Sequence, residues 1–300
     1  MRDTKPAKSR RHVRRPPKRH RMRIVLFLAV GLVGGAIAAH HGDGARAASE
    51  DGAQHNRHKA PAAAALTRQV HVSNEAQHAA IARLIRAGHP VYCGGGTKPL
   101  VALTFDDGPG PYTRHTLQVL KQHGAVGTFF LVAKEVVGWP DLKDVPAKEA
   151  AQGAVGDHTY DHVSLPGATA DELTHEVGDA ESVISAATGG REVRLFRPPF
   201  GAHDAALDAK VRELGMLEVL WSVDSADSRG ATADEILATV EHDARPGSII
   251  LLHENRGTTR NALPRLLDAL HRQGLQTVTV PELLALDPPT PHQLATGSCA

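Results

Sequence analysis

The sequence has almost no net charge, +1 over 300 residues, only two cysteines, no internal repeat, and no apolar run of full membrane-spanning length. Each shortage narrows the reading. The near-neutral balance hides an asymmetry: residues 1–23 carry 11 Lys or Arg against the single acid Asp3, leaving 23 basic and 32 acidic residues in 24–300, a net −9. The globular part is therefore acidic, and nothing in it argues for nucleic acid as a partner. Two cysteines, Cys93 and Cys299, allow one disulfide at most, and they bracket the region in which structure is expected. In an oxidising compartment their pairing closes a long loop and stabilises the fold. The apolar fraction of 41 % is ordinary for a globular protein and sufficient for a sizeable core.

The longest uncharged run, Ile24 to Ala39, follows the basic segment directly. As a helix it covers about 24 Å, short of a hydrocarbon core of about 30 Å. Two readings stay open. Ala45-Arg46-Ala47 before Ala48 offers a signal-peptide cleavage site, whereas the long basic head favours a retained anchor with its N-terminus inside. Both place the remainder outside the cytoplasm, secreted or on the cell surface. Residues 40–73 read as a flexible tether rich in Ala, His, Arg and Gly. Nine of the 19 histidines precede Pro90, but no ligand spacing repeats among them, so a solvated linker is expected. A short helix over Asn74–Ala87, with Ile81, Leu84 and Ile85 on one face, is expected to dock before the main domain. The division is therefore 1–23 basic segment, 24–39 signal or anchor, 40–98 linker with a possible helix, and 99–300 catalytic domain.

From Leu100 strand and helix signals alternate. Strands are predicted at 101–105, 127–132, 154–158, 193–197, 217–223, 248–252 and 275–280, with helices at 113–123, 143–151, 170–187, 204–214, 232–243 and 260–273. Seven strand–helix units predict an α/β protein with a parallel sheet, either an open doubly wound sheet or a closed barrel. Either architecture puts its chemistry at the C-terminal strand ends.

Those ends are where the ionisable residues fall. The first strand runs into Thr104-Phe105-Asp106-Asp107-Gly108-Pro109. Taken alone, Asp-Asp-Gly more often means a solvated turn; adjacent carboxylates in a small space repel unless a cation neutralises one. The third ends in Asp157-His158-Thr159-Tyr160-Asp161-His162, whose i, i+4 histidines would share one face of a helical turn. Together with the Asp pair they supply a two-His, one-carboxylate set of the kind that holds catalytic zinc with an open position. The fourth ends in Phe196-Arg197-Pro198-Pro199-Phe200-Gly201, the fifth in Asp224-Ser225-Ala226-Asp227, and the sixth in Leu251-Leu252-His253. Singly these read as a surface ion pair, a turn residue and a core histidine. Five coincident strand ends do not.

From about Leu100 to Leu286 the chain resembles the polysaccharide deacetylase family, carbohydrate esterase family 4, also called the NodB homology domain. Five motifs occur in order: Thr-Phe-Asp-Asp-Gly-Pro, the His158 and His162 pair, Arg-Pro-Pro-aromatic, Asp-x-x-Asp at Asp224 and Asp227, and Leu-x-His at Leu251 and His253. The resemblance implies a distorted (β/α) barrel of about seven strands. It also implies a divalent metal, usually Zn2+ but with Co2+, Ni2+ and Mn2+ also open, and hydrolysis of acetyl groups on carbohydrate polymers. Carried over, it makes Asp107, His158 and His162 the metal ligands and Asp106 the general base oriented by Arg197. His253 becomes the acid paired with Asp227, Phe200 contributes a backbone N–H to the oxyanion, and Leu251 lines the acetyl pocket. The expected substrate is an acetylated glycan, first of all peptidoglycan, with chitin oligomers or acetyl-xylan as alternatives. A catalytically weak wall-glycan-binding protein is the competing class, and a monomer is expected.

Three departures from the family pattern bear on substrate fit and on the contacts that orient the metal ligands. Phe200 stands where Tyr is usual, Ser228 where a Trp is common, and Gln152-Gly153-Ala154-Val155-Gly156-Asp157 lacks the usual His and Glu before the first ligand histidine. Asp157 is the expected compensating contact for His158.

Overall fold

Leu100–Gly108 (β1) is the axis of the molecule. Its burial is almost complete, as expected of a central parallel strand with both faces covered. The computed structural model describes residues 72–299. The basic segment, the uncharged run and the tether up to residue 71 lie outside them. The other strands are Thr128–Leu131 (β2), Ala154–Asp157 (β3), Leu195–Phe196 (β4), Leu217–Glu218 (β5), Val223–Asp224 (β6), Ile249–His253 (β7) and Gln276–Val278 (β8). All named pairings are parallel, in the order β5-β4-β3-β2-β1-β7-β6. β8 pairs with the first residues of β1, on the edge that β2 takes over from Thr104 onward.

The strand predicted at 217–223 is two strands. β5 pairs with β4 at one end of the order and β6 with β7 at the other, only four residues further along. One short stretch therefore joins both ends of the sheet and curls it into the distorted barrel. Between them Val219 bonds Phe196 and Leu220 bonds Val91, while Ser222 bonds Ile249.

Alternation along the strands separates two apolar layers. Val101, Leu103, Phe105, Phe129, Leu131, Phe196, Ile250 and Leu252 face the surrounding helices. Leu100, Ala102, Phe130, Leu195, Leu217, Val219 and Ile249 face inward and meet Ile81 and Leu84 of helix Asn74–Ala87 and Leu283 and Leu284 of helix Val280–Leu286. These two helices close the N-terminal end of the barrel. The helix at 74–87 is thus part of the core, and the compact body takes in residues on the N-terminal side of position 99. The Cys93–Cys299 disulfide is formed and closes a loop of sequence separation 206. Crosslinks over such loops stabilise by a few kcal/mol, on the order of 2–4. Among the described residues no helix is long and apolar enough to cross a membrane.

Candidate active site and metal centre

In a regular strand Asp106 and Asp107 would point to opposite faces. A register irregularity between Asp106 and Gly108, with Asp107 at φ 67°, breaks that alternation and re-aims the second carboxylate. Gly108 is needed here for space: a Cβ at this position would lie 1.5 Å from Oε1 of the buried Glu254. Left-handed backbone also occurs at Thr159, His162, Phe200 and Ala226, each in a segment leaving a strand beside the site. Such conformations cost free energy and persist where surrounding structure enforces them.

His162 Nε2 lies 3.2 Å and His158 Nε2 3.7 Å from Asp107 Oδ1. Donors around a tetrahedral ion with bonds near 2.1 Å are separated by about 3.4 Å, so these spacings match a shared cation. Asp107 Oδ1 is buried and has no hydrogen-bond partner, a costly state that a cation would relieve. His158 Nδ1 sits 2.7 Å from the Arg197 carbonyl, which can only accept, so the ring is protonated there and Nε2 is left with its lone pair toward Asp107. Burial pulls the pKa of His158 down, outweighing the pull of Asp106 and Asp107 upward, and keeps the imidazole neutral as a ligand must be. The residues fit a divalent cation.

The histidine pair converges for a different reason than helical spacing. Residues 158–162 form a loop, in which His162 N donates to Thr159 Oγ1 and the backbone N–H groups of Tyr160 and Asp161 both donate to Glu176 Oε2. Glu176 belongs to a π-helical turn, Thr174–Asp179, inside the predicted 170–187 helix. Asp157 spends one oxygen on Thr159 N, and the structure gives the contact expected of it to the Arg197 carbonyl instead.

Arg197 is fully buried and its guanidinium is spoken for: Nη1 donates to Asp106 Oδ1 and Thr104 Oγ1, both at 2.7 Å, Nε to the Val219 carbonyl and Nη2 to the Leu220 carbonyl. Its plane lies over the Phe130 ring at 4.1 Å. Asp106 is thereby tied at Oδ1, while its Oδ2 lies 3.7 Å from His158 Nε2, on the metal side. Register places His253 directly beside Asp106. His253 Nδ1 donates to Asp227 Oδ1 at 2.6 Å, and Asp227 Oδ2 accepts from His253 N and from the Thr259 hydroxyl. Burial lowers the His253 pKa, but the Asp227 hydrogen bond and the nearby Asp106, Asp227 and Asp107 charges outweigh it and hold it above the ordinary imidazole value.

Leu251 is buried two residues before His253, on the same side of β7. Phe200 stands at the rim, 70 % exposed, its ring edge-on to His162 at 5.0 Å. A cleft of about 360 Å3 opens beside the ligands, lined by Asp107, His162, Asn255, Trp139, Lys134 and Asp161. A larger cavity of about 410 Å3, between helix Asn74–Ala87 and residues 191–195, holds none of this chemistry.

The profile of the family described as polysaccharide deacetylase matches residues 94–219. A chitooligosaccharide deacetylase of Azorhizobium caulinodans is 30 % identical over 196 residues, 60 % of this chain and 92 % of that one. A peptidoglycan-N-acetylglucosamine deacetylase of Bacillus cereus is 35 % identical over 62 % of this chain and 88 % of that one. The chain belongs to the polysaccharide deacetylase family. Among solved structures, a family pseudoenzyme of Bacillus anthracis matches with TM-score 0.61 and 29 % identity, covering 67 % of this chain and 69 % of that one. Fold membership in this deacetylase family therefore leaves turnover to be argued from the side chains.

Sequence reasoning missed several of them. Asn255 Nδ2 donates to Asp107 Oδ2 at 3.1 Å and orients the ligand carboxylate. Thr104 and Thr259 steady Arg197 and Asp227. Glu254, behind Asp107, has its pKa pushed up to about 7 chiefly by burial, and it accepts from the Thr113 hydroxyl. Asn255 and Glu254 follow His253 directly, which was the available signal. Thr104 opens the first motif, where its role was not read, and Thr259 carried no signal.

Proposed function

We propose that this protein is an exported, zinc-dependent deacetylase that hydrolyses N-acetyl groups on a cell-surface glycan, with peptidoglycan as its substrate. The observation that carries this reading is the convergence of two separate proton-handling pairs, Asp106 with Arg197 and His253 with Asp227, on the edge where Asp107, His158 and His162 meet. A binding module has no use for a base and an acid held apart in this way.

Asp107, His158 and His162 would hold a divalent cation, which would supply Lewis acidity and lower the pKa of water at the site. Asp106, anchored through Oδ1, presents Oδ2 to remove the proton of the attacking water. As the new C–O bond forms and the C–N bond breaks, His253 gives its proton to the departing sugar amine, and Asp227 stabilises the imidazolium until then. Acetate and a free amine result. The Phe200 backbone N–H serves the oxyanion, so the missing tyrosine hydroxyl costs little, and Leu251 accommodates the acetyl methyl. Exposed Trp139 and Phe200 supply apolar rim that Ser228 does not.

Peptidoglycan is favoured by location, since an outward-facing enzyme meets its own wall first; names of the relatives also include chitooligosaccharide deacetylases. The test is acetate release from peptidoglycan, chitin oligomers and acetyl-xylan after chelation, with and without added Zn2+. Release from peptidoglycan restored by zinc is expected. No release from any of the three under any metal would favour the glycan-binding alternative.

A further inference from the structure

Among the described residues two further sets of metal-ligating side chains lie outside the active-site trio, Asp161, His175 and Glu176 in one and His203, Asp208 and Glu218 in the other. We propose that His203, Asp208 and Glu218 form a second divalent-cation site, structural in role, suited to Zn2+ or a similar transition metal. His203 Nδ1 is 3.0 Å from Asp208 Oδ1 and 3.6 Å from Glu218 Oε1, and one donor atom from each residue lies within 4.8 Å of the others. These spacings are close to the 3.2 and 3.7 Å of the active-site trio, although here the His203–Asp208 contact is already a hydrogen bond. One imidazole and two carboxylates suit zinc, cobalt or manganese rather than calcium, which prefers oxygen alone.

Glu218 provides the independent indication. Leu217 faces the barrel interior, so alternation turns Glu218 outward under helix Ala205–Glu213, a layer otherwise filled by Leu207 and Val211. Glu218 is only 6 % exposed, and its Oε1 has no hydrogen-bond partner while pointing at the His203 ring. A buried carboxylate aimed at a second carboxylate and an imidazole is expensive unless a proton or a cation sits between them. Burial first, and then Asp208, push the Glu218 pKa up to about 8, with Arg212 opposing weakly. A cation bound here would compete with any proton held by these three groups, so its uptake would release protons. Occupation would tie the exit of the Arg197-Pro198-Pro199-Phe200 loop to β5 and helix Ala205–Glu213, stiffening the segment that carries Phe200.

The test uses the full chain, stripped with chelator and titrated with Zn2+ alone, reading bound metal, released protons and thermal midpoint. Wild type should bind two equivalents. His158→Ala/His162→Ala should retain one, with a zinc-dependent rise in thermal midpoint. Adding Glu218→Gln, close in shape, should abolish both the remaining equivalent and the rise, and Asp208→Asn serves as a second variant should Glu218→Gln fail to fold. One equivalent in wild type with none in the double variant overturns the proposal. So does a second equivalent that survives Glu218→Gln, which would place it elsewhere, for example on the His-rich N-terminal residues. Deacetylase activity enters none of these readings.

Discussion

His158 and Arg197 are coupled through opposite ends of the same arginine: the imidazole Nδ1–H donates to the Arg197 carbonyl at 2.7 Å, while the Arg197 guanidinium holds Asp106 at 2.7 Å. A metal ligand and the candidate base are thus positioned by one residue at the end of β4, and the rigid Pro198-Pro199 exit keeps its backbone and side chain in fixed relation.

Replacing Arg197 with Met should therefore be damaging twice over. It strands the buried Asp106 carboxylate and leaves the Val219 and Leu220 carbonyls without donors. Removing one member of a buried ion pair costs about 3–5 kcal/mol. Urea unfolding should show a loss of that size, and acetate release should fall in whatever fraction remains folded. Arg197→Lys should rescue little, because an ammonium cannot span Thr104, Asp106 and two carbonyls at once. Near-normal stability in Arg197→Met would mean that the network is decorative.

The pH dependence follows from His253 and Asp227. As acid, His253 must be protonated, so kcat/KM should fall as pH rises through its raised folded value, above the ordinary imidazole value of about 6.5. Asp227→Asn removes the main raising contact and should move that limb to lower pH. For stability, the raised His253 contributes in full below about 6.5 and is lost as pH rises through its folded value. Burial pushes Asp227 up, but its bonds from His253 and Thr259 outweigh this and hold it below the carboxylate norm. Its share is present above about 3.9 and lost as pH falls through the depressed value. A limb unmoved by Asp227→Asn would assign the titration to another group.

Asn255→Ala should separate metal affinity from folding. The side chain donates to Asp107 Oδ2 at the edge of the cleft, so little packing is lost. Loss of a hydrogen bond that orients a ligand weakens metal binding about 10–100-fold. Competition with a chelator dye measures this directly, and unchanged zinc affinity would remove Asn255 from the site.

The sheet and the site's constellation were legible in the chain because both depend on local pattern: apolar runs ending in Asp, His and Arg at the C-terminal strand ends. What was not legible depends on contacts between distant segments. The stretch 217–223 looks like one strand, and only tertiary pairing shows that it serves both ends of the sheet. The His158 and His162 spacing suggested a helical turn, but Glu176, fourteen residues on, holds the segment as a loop. Gly108 looked like a turn former, whereas Glu254 pressing on it from β7's end is what excludes a side chain.

Helix Asn74–Ala87 docks as its apolar face predicts, and Leu84 is 2 % exposed against the barrel interior. Leu84→Ala should cost about 2–5 kcal/mol. A chain beginning at residue 99 should fail to give a cooperative unfolding transition, since it opens the barrel floor and loses Cys93 as well. A fully stable truncated domain would show that this helix is an accessory.

Asp106→Asn bears most directly on what the protein does. The asparagine carbonyl can still accept from Arg197, so the buried network should hold, and Asp107, His158 and His162 are untouched. Zinc binding and glycan binding should both persist. What disappears is the carboxylate oxygen facing the metal side, 3.7 Å from His158 Nε2, which no longer accepts a proton. General-base catalysis is worth about 10²–10⁴ in rate, and acetate release should drop by that factor with KM little changed. If the wild type and Asp106→Asn release acetate at the same low rate while binding glycan equally well, the two proton-handling pairs are relics and the protein is a binder on a deacetylase fold.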